Sequence, residues 1–161
     1  VLHTMGSHGP AYYKRYPAEF EIFKPSCKTN QLNECTDEEI TNAYDNTILY
    51  TDYFLSKVIG ILKENSDNSD TAMYYISDHG ESLGEGGIYL HGMPYFMAPD
   101  EQKKIPAFMW FDDSMSKIFD IDSIKEKARL PQSHDSLFHT LLGLMYVKTK
   151  LYKKDLDLTA K

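Results

Sequence analysis

The sequence has no hydrophobic run long enough to cross a lipid bilayer. Its 161 residues include no segment near the roughly 20 consecutive apolar residues that a spanning helix needs. The most apolar stretch, 137–147, is short and is interrupted by polar residues and a glycine. An initiator methionine and a leader peptide are also missing from the start, Val1-Leu2-His3-Thr4. We therefore interpret the chain as a piece of a longer protein, so the missing segments say little about its location.

The sequence also lacks an excess of basic residues. It has 17 Lys and Arg against 24 Asp and Glu, a formal charge of −7. This balance argues against a general nucleic-acid-binding protein, which would present a basic face. It does not exclude an acidic substrate, because bound metal cations supply positive charge that a side-chain count misses. The 42% hydrophobic content is enough for the core of one domain.

Cysteine is scarce, with only Cys27 and Cys35 present. They flank a polar stretch that is typical of a loop, and no C-x-x-C spacing occurs, which argues against a cysteine-based metal site. Two interpretations stay open at this point. The pair could form a disulfide in an oxidising compartment, or remain two free thiols in a cytosolic protein.

Helical and strand patterns alternate along the chain. Thr36 and Glu39 form a capping box, and a helical period of apolar residues continues to about Lys63. Further elements are predicted as follows: a strand end at Val1-Leu2, buried strands at 71–76 and 105–111, a long loop at 80–104, a short helix at 114–119, an amphipathic helix at 135–145 and an exposed tail from Lys148. This alternation indicates an α/β fold layered around a mainly parallel sheet.

Two histidine-rich segments follow predicted strands, where ligand sites of α/β sheets lie. The first runs from His3 to Pro10 and includes His8, and the second runs from Ser77-Asp78-His79 to Leu90-His91-Gly92. An Asp-His pair directly after a strand offers a carboxylate and an imidazole, both zinc ligands. His8 and His91 could hold a second ion or contact a phosphoryl group, which zinc would polarise as a Lewis acid.

Simpler interpretations compete with each of these. Asp-His-Gly often forms only a turn, and His3 could equally be a histidine satisfied at a strand end. Packing or capping roles suit His134 and His139 better than catalysis. The tyrosine-rich stretch 12–16 resembles a nucleic-acid stacking patch, but in an acidic chain packing against the domain surface is favoured.

Several longer motifs together resemble the lipid A phosphoethanolamine transferases, including the transferable colistin-resistance enzymes. The resemblance covers nearly the whole chain. The motifs that carry it are Gly6-Ser7-His8-Gly9-Pro10, Tyr13, Arg15-Tyr16-Pro17, Tyr44-Asp45-Asn46-Thr47-Ile48, Ser77-Asp78-His79-Gly80-Glu81-Ser82-Leu83-Gly84-Glu85, Tyr89-Leu90-His91-Gly92, Asp135-Ser136-Leu137-Phe138 and Leu141-Leu142-Gly143.

This resemblance implies an alkaline-phosphatase/sulfatase-like catalytic domain at the periplasmic face of the bacterial inner membrane, tethered by an N-terminal transmembrane domain outside this chain. It implies transfer of phosphoethanolamine from phosphatidylethanolamine to a lipid A phosphate through a covalent threonine intermediate, giving polymyxin and colistin resistance. Asp78 and His79 would bind the primary zinc, while His8 and His91 would act in catalysis and hold a second zinc if there is one. Cys27 and Cys35 would form a disulfide.

One departure from the family pattern limits what residues 1–161 can do alone. The family's glutamate ligand and threonine nucleophile lie upstream, and neither Thr4 nor Ser7 matches the nucleophile's motif. We expect this chain to be the C-terminal portion of one catalytic domain, a monomer, and inactive by itself. A sulfatase, a phosphoglycerol transferase and a non-catalytic zinc-binding module are the alternatives.

Overall fold

A computed structural model describes all of residues 1–161. The chain forms two compact units, one of residues 1–64 and 73–110, the other of residues 65–72 and 111–161. None of the helices combines the length and apolar character needed to cross a membrane. The helices are α1 (Asp37–Glu64), α2 (Asp100–Lys103), α3 (Asp113–Ile118), α4 (Ile121–Ala128) and α5 (Asp135–Leu144), and the strands are β1 (Ala72–Ile76), β2 (Ser82–Leu83), β3 (Tyr89–Leu90) and β4 (Ala107–Phe111).

The long helix α1 begins as its sequence predicts. The Glu39 amide donates to Thr36 Oγ1 over 3.2 Å, and the Thr36 amide donates to Glu39 Oε2 over 2.8 Å. These reciprocal bonds are the predicted capping box and satisfy two amides that a helix start would leave unpaired. Acidic residues in the first turn and Lys63 in the last turn also suit the helix dipole.

The core of the first unit lies where α1 meets the irregular N-terminal segment. Its buried side chains belong to Tyr12, Cys27, Leu32, Ile40 and Ala43. A disulfide joins Cys27 to Cys35, with Cα atoms 5.8 Å apart. Tyr12 is 1% exposed, so the tyrosine-rich segment packs against the rest of the protein, as predicted.

Strands β1 and β4 pair with each other. The Ser77 amide donates to Pro106 O, and the Asp112 amide donates to Thr71 O. These bonds match the end of one strand with the start of the other, so the two strands run antiparallel. Alternation of strands and helices does not predict this direction. The segment between them, predicted as one long loop, contains the antiparallel hairpin β2–β3 and α2.

The N-terminal strand prediction is wrong. Val1 and Leu2 belong to no strand, and Leu2 is 70% exposed. A strand needs a neighbour to pair its backbone amides and carbonyls, and none lies beside these residues. His3 therefore does not follow a strand, and its side chain is exposed.

In the second unit the C-terminal segment packs on α5, which corrects the prediction of an exposed tail. The Leu158 amide donates to Thr140 Oγ1 over 3.0 Å, and Asp157 and Thr159 are buried. The buried side chains of α5 are consequently polar: Ser136, His139 and Thr140. The predicted apolar side of the helix is largely exposed, with Phe138 at 50%. The helix α4, which has no sequence prediction, starts at the N-cap Asp120.

Candidate metal centre

Three histidines from distant parts of the sequence meet in the first unit. The ring centroids of His79 and His91 lie 4.0 Å apart, those of His8 and His91 4.9 Å, and those of His8 and His79 5.9 Å. Each residue offers a ring nitrogen within 4.8 Å of the other two. His8 and His91, predicted as a pair, are therefore together, and His79 joins them.

The turn after β1 places His79. Ser77 Oγ donates to the carbonyl of His79 over 2.8 Å, and the Gly80 amide donates to Gln102 O over 3.1 Å. Gly80 lies so close to the α2 segment that a Cβ atom there would be 1.9 Å from the backbone oxygen of Glu101. Only glycine fits, so the Asp-His-Gly turn is fixed against α2 and His79 with it.

The hairpin β2–β3 places His91. Leu90, at the end of β3, has a positive φ of 65°, which is uncommon for a residue with a side chain. The next residue, His91, leaves the hairpin toward the other two histidines. Its Nδ1 lies 3.0 Å from Oε1 of Glu81, the residue before β2, which faces it across the open end of the hairpin.

A tight turn in the N-terminal segment places His8. Its amide donates to Met5 O over 3.1 Å, and Arg15 Nε donates to its carbonyl over 3.0 Å. Gly9, which follows, donates its amide to Glu81 Oε1 over 3.2 Å. Glu81 is thus bonded both to His91 and to the neighbour of His8.

Glu81 is a residue of the candidate site that the sequence prediction did not include. Its side chain is 4% exposed and, besides these two bonds, accepts a hydrogen bond from Tyr12 Oη over 3.2 Å. Burial and the adjacent Glu81 charge raise the pKa of Tyr12 well above its ordinary value, so Tyr12 stays a neutral donor. The available signal was the position of Glu81 in the Asp-His-Gly-Glu motif, two residues after His79.

The hydrogen bonds of the three imidazoles leave one nitrogen of each ring for a ligand. Nδ1 of His8 lies 2.7 Å from Gly9 O, Nδ1 of His79 lies 3.0 Å from Gly80 O, and Nδ1 of His91 contacts Glu81. Because carbonyl and carboxylate oxygens only accept, each Nδ1 carries the proton in a neutral ring. The lone pair is then on each Nε2, as metal-binding histidines require.

Asp78 lies beside this group but not within it. Its side chain is 80% exposed, and its Oδ2 is 3.9 Å from His79 Nε2. Two ligand atoms bound tetrahedrally to one zinc ion stand about 3.4 Å apart, given bonds of about 2.0–2.1 Å. The donor set of imidazoles and carboxylate therefore fits zinc.

The remaining candidates lie elsewhere. The Thr47 hydroxyl donates to Ser7 Oγ over 2.6 Å, which ties Ser7 to α1. His139 is buried, and its Nδ1 accepts from the Lys153 amide over 3.1 Å, which is the packing role predicted for it. His134 is the residue before α5, at its N-cap, and its side chain makes no capping hydrogen bond.

A cavity of about 270 Å³ opens beside His79 and His91. Its other walls come from the segment after His91 and from α2: Gly92, Met93, Tyr95, Ala98, Gln102 and Lys103. A larger cavity of about 430 Å³ lies in the second unit, but it contains no histidine. Of the two, the smaller cavity is the one lined by histidines of the candidate site.

The sulfatase family model matches residues 1–147 of this chain. The chain belongs to the sulfatase family. Within that family it is similar to phosphoethanolamine transferases, and EptA of Escherichia coli K12 is 51% identical over 156 residues, which is 95% of this chain and 28% of the relative. The chain thus spans less than a third of that relative's length.

Solved structures show the same similarity. The C-terminal periplasmic domain of phosphoethanolamine transferase EptC from Campylobacter jejuni superposes with a TM-score of 0.91 at 52% identity, over 99% of this chain and 50% of that one. The integral membrane protein lipooligosaccharide phosphoethanolamine transferase A from Neisseria meningitidis gives 0.93 at 47% identity, over 98% and 30%. The predicted resemblance and the alkaline-phosphatase/sulfatase-like α/β fold are confirmed.

Proposed function

We propose that this chain is the metal-bearing C-terminal portion of a zinc-dependent phosphoethanolamine transferase. The observation that carries the proposal is the convergence of His8, His79 and His91, each with Nδ1 bonded to an oxygen and each offering a ring nitrogen within 4.8 Å of the other two. We infer that the transferred group is phosphoethanolamine from the similarity to proteins named phosphoethanolamine transferases.

Asp78 and His79 would hold the primary zinc, and His8 and His91 would hold a second ion or contact the phosphoryl group. Bound zinc would supply a Lewis acid that lowers the pKa of a nucleophilic hydroxyl and neutralises charge on phosphoryl oxygens. The nucleophile, a threonine, and a glutamate ligand would come from a part of the protein outside residues 1–161. For this reason we expect the chain alone to bind zinc without catalysing transfer.

The donor would be phosphatidylethanolamine and the acceptor a phosphate of lipid A. The threonine oxygen would bond to the donor phosphorus as the bond to diacylglycerol breaks, and the acceptor phosphate oxygen would then displace the threonine. His91, whose Nδ1 lies 3.0 Å from the Glu81 carboxylate, would be the residue that transfers a proton to the leaving oxygen. Polymyxin and colistin resistance would follow in a cell with this activity at the periplasmic face of its inner membrane.

The decisive experiment replaces His79 with alanine in the longer protein that contains this chain. Zinc content and release of diacylglycerol from phosphatidylethanolamine should be lost together, whereas His3→Ala, which removes an exposed histidine outside the group, should change neither. Full zinc occupancy and turnover in His79→Ala would contradict the assignment. Cleavage of sulfate esters or of phosphatidylglycerol instead would favour the sulfatase or phosphoglycerol transferase alternatives, and a closed four-ligand zinc shell would favour a structural module.

A further inference from the structure

A strongly exposed apolar segment lies directly after the histidine group. Tyr95, Phe96 and Met97 are 80%, 85% and 57% exposed, and they form the tip of the loop 93–98 between β3 and α2. Three consecutive large apolar side chains in water are costly and call for a binding partner. The loop is anchored at its base, because Ala98 is buried and the Met97 and Ala98 amides donate to Pro94 O.

The chemistry of this tip suits the interfacial region of a bilayer. Lys103 Nζ lies 5.4 Å from the centre of the Tyr95 ring, which combines a cation with an amphipathic aromatic side chain. Aromatic rings sit at headgroup level, and lysine places its charge among the phosphates while its stem covers apolar surface. Phe96 and Met97 beyond them offer only apolar atoms to the acyl chains.

The position of the tip relative to the site supports a lipid partner. Tyr95 and Lys103 share the 270 Å³ cavity with His79 and His91, so the loop and the site have a common wall. The Neisseria meningitidis relative, 47% identical, is an integral membrane protein. A bilayer in contact with Phe96 would therefore place its headgroups at the mouth of the histidine site.

We propose that the loop 93–98 inserts Tyr95, Phe96 and Met97 into the surface of a phospholipid bilayer and presents the lipid headgroup to the histidine site. The second part of this inference, presentation of the headgroup, rests on the proposed function, because a lipid donor has its phosphorus at the bilayer surface. Vesicle binding by the loop needs neither zinc nor turnover, so it can be tested separately from transfer.

The test places a fluorescent reporter on the tip. Trp110 is the single tryptophan, so Trp110→Phe gives a background in which Phe96→Trp reports on the loop alone. The matched control carries Ile22→Trp, at a position 64% exposed outside the loop. Each protein is mixed with vesicles of phosphatidylethanolamine and phosphatidylglycerol in the presence of EDTA. A second set of vesicles contains brominated acyl chains.

We expect the emission of the tryptophan at 96 to shift to shorter wavelength and to be quenched by the brominated chains, and that at 22 to change little. Flotation of the otherwise unaltered chain with vesicles should fall about tenfold in Phe96→Ser, because a buried phenylalanine contributes at least that factor to partitioning, but not in Ile22→Ser. This second measurement does not depend on the Trp110→Phe background.

Equal emission shifts at positions 96 and 22 would overturn the proposal, as would the absence of any shift at 96 together with unchanged flotation of Phe96→Ser. An emission shift that depends on protein concentration without vesicles would identify a second copy of this chain as the partner and would also overturn it. Vesicle binding through the loop without transfer in the longer protein would contradict the proposed function alone.

Discussion

At the scale of single residues, Glu81 links the parts of the candidate metal centre. It is buried and bonded to His91, Gly9 and Tyr12. We predict that Glu81→Gln weakens zinc binding by about ten- to a hundredfold, the usual cost of losing a carboxylate that orients a histidine ligand. The reason is that the charge holding the proton on His91 Nδ1 is removed. Titration of the chain against a zinc-chelating competitor measures the Kd.

Glu85→Gln is the matched control for this substitution. It removes the same charge from the same segment, but Glu85 is exposed and bonds only the Leu83 amide. Its zinc Kd should remain within about twofold of the unaltered chain, because surface charges contribute little. An unchanged Kd in Glu81→Gln would show that His91 is oriented without the carboxylate.

Asp112 carries a second prediction at this scale, on pH. The Met115 amide, with the Ser114 hydroxyl and the amide and hydroxyl of Thr71, holds the pKa of Asp112 well below its ordinary value. A carboxyl with a lowered pKa in the folded state stabilises the protein above the unfolded pKa of about 3.9 and loses that contribution as the pH falls toward the folded value.

We therefore expect Asp112→Asn to lower the free energy of unfolding at pH 7 and to lose less stability than the unaltered chain between about pH 5 and 2. Asparagine still serves as an N-cap for α3 through its one acceptor oxygen, but its amide nitrogen cannot accept from Thr71, so the loss combines the charge with those two hydrogen bonds. Urea denaturation at several pH values measures it, with the exposed neighbour substitution Asp113→Asn as control. Parallel pH profiles for Asp112→Asn and the unaltered chain would contradict this account.

At the scale of elements, we predict that replacing glycine with alanine changes the stability in opposite directions at two positions, Gly60 and Gly80. Gly60 lies inside α1, and a Cβ atom there would meet nothing within 4 Å. Gly60→Ala should stabilise the chain by about 0.5–1 kcal/mol through lower backbone entropy in the unfolded state. Gly80→Ala should destabilise it by about 1–3 kcal/mol, because the new Cβ would overlap Glu101 O and displace the turn that carries His79.

Thermal or urea unfolding of both variants, each with its zinc Kd, tests this contrast. Gly60→Ala should bind zinc as the unaltered chain does, and Gly80→Ala should bind it more weakly. If Gly80→Ala retained both its stability and its zinc affinity, the turn after β1 would not depend on its fit against α2.

The same elements show what local sequence can predict. The helix α1 was predictable because the Thr36 capping box and a long apolar period are local signals, and β1 and β4 were predictable as strands from their apolar runs. Their predicted burial is wrong, because the side chains of β1 are only partly buried and the first two of β4 are exposed. The hairpin β2–β3 was not, because it has only two residues in each strand and its turn depends on Gly84 and Gly86 at positive φ. The buried face of α5 was also not predicted. It depends on the C-terminal segment, which packs on this face and donates hydrogen bonds to His139 and Thr140.

At the scale of the whole molecule, the candidate site belongs to one unit. The unit of residues 1–64 and 73–110 contains the three histidines, His8, His79 and His91. It also contains Glu81, which is hydrogen-bonded to the segments that carry His8 and His91. The sequence motifs predicted His8, His79 and His91 as candidate site residues, because each lies in a motif of the resembled family. They did not predict that His79 joins His8 and His91, since that depends on contacts between segments about 70 residues apart, such as Gly9 with Glu81.

The last prediction follows from this division of the chain. Asp157 is buried in the second unit, where it accepts from Tyr152 Oη and from the amide and hydroxyl of Thr159, each over 2.7 Å. Asp157→Ala should lower the free energy of unfolding by about 2–3 kcal/mol, because three donors lose a charged acceptor. The zinc Kd should not change, because no histidine of the group and none of its hydrogen-bond partners lies in this unit. Asp155→Ala, at an exposed position nearby, is the control for stability. If the zinc affinity of Asp157→Ala fell in proportion to its lost stability, zinc binding would depend on both units and the prediction would be wrong.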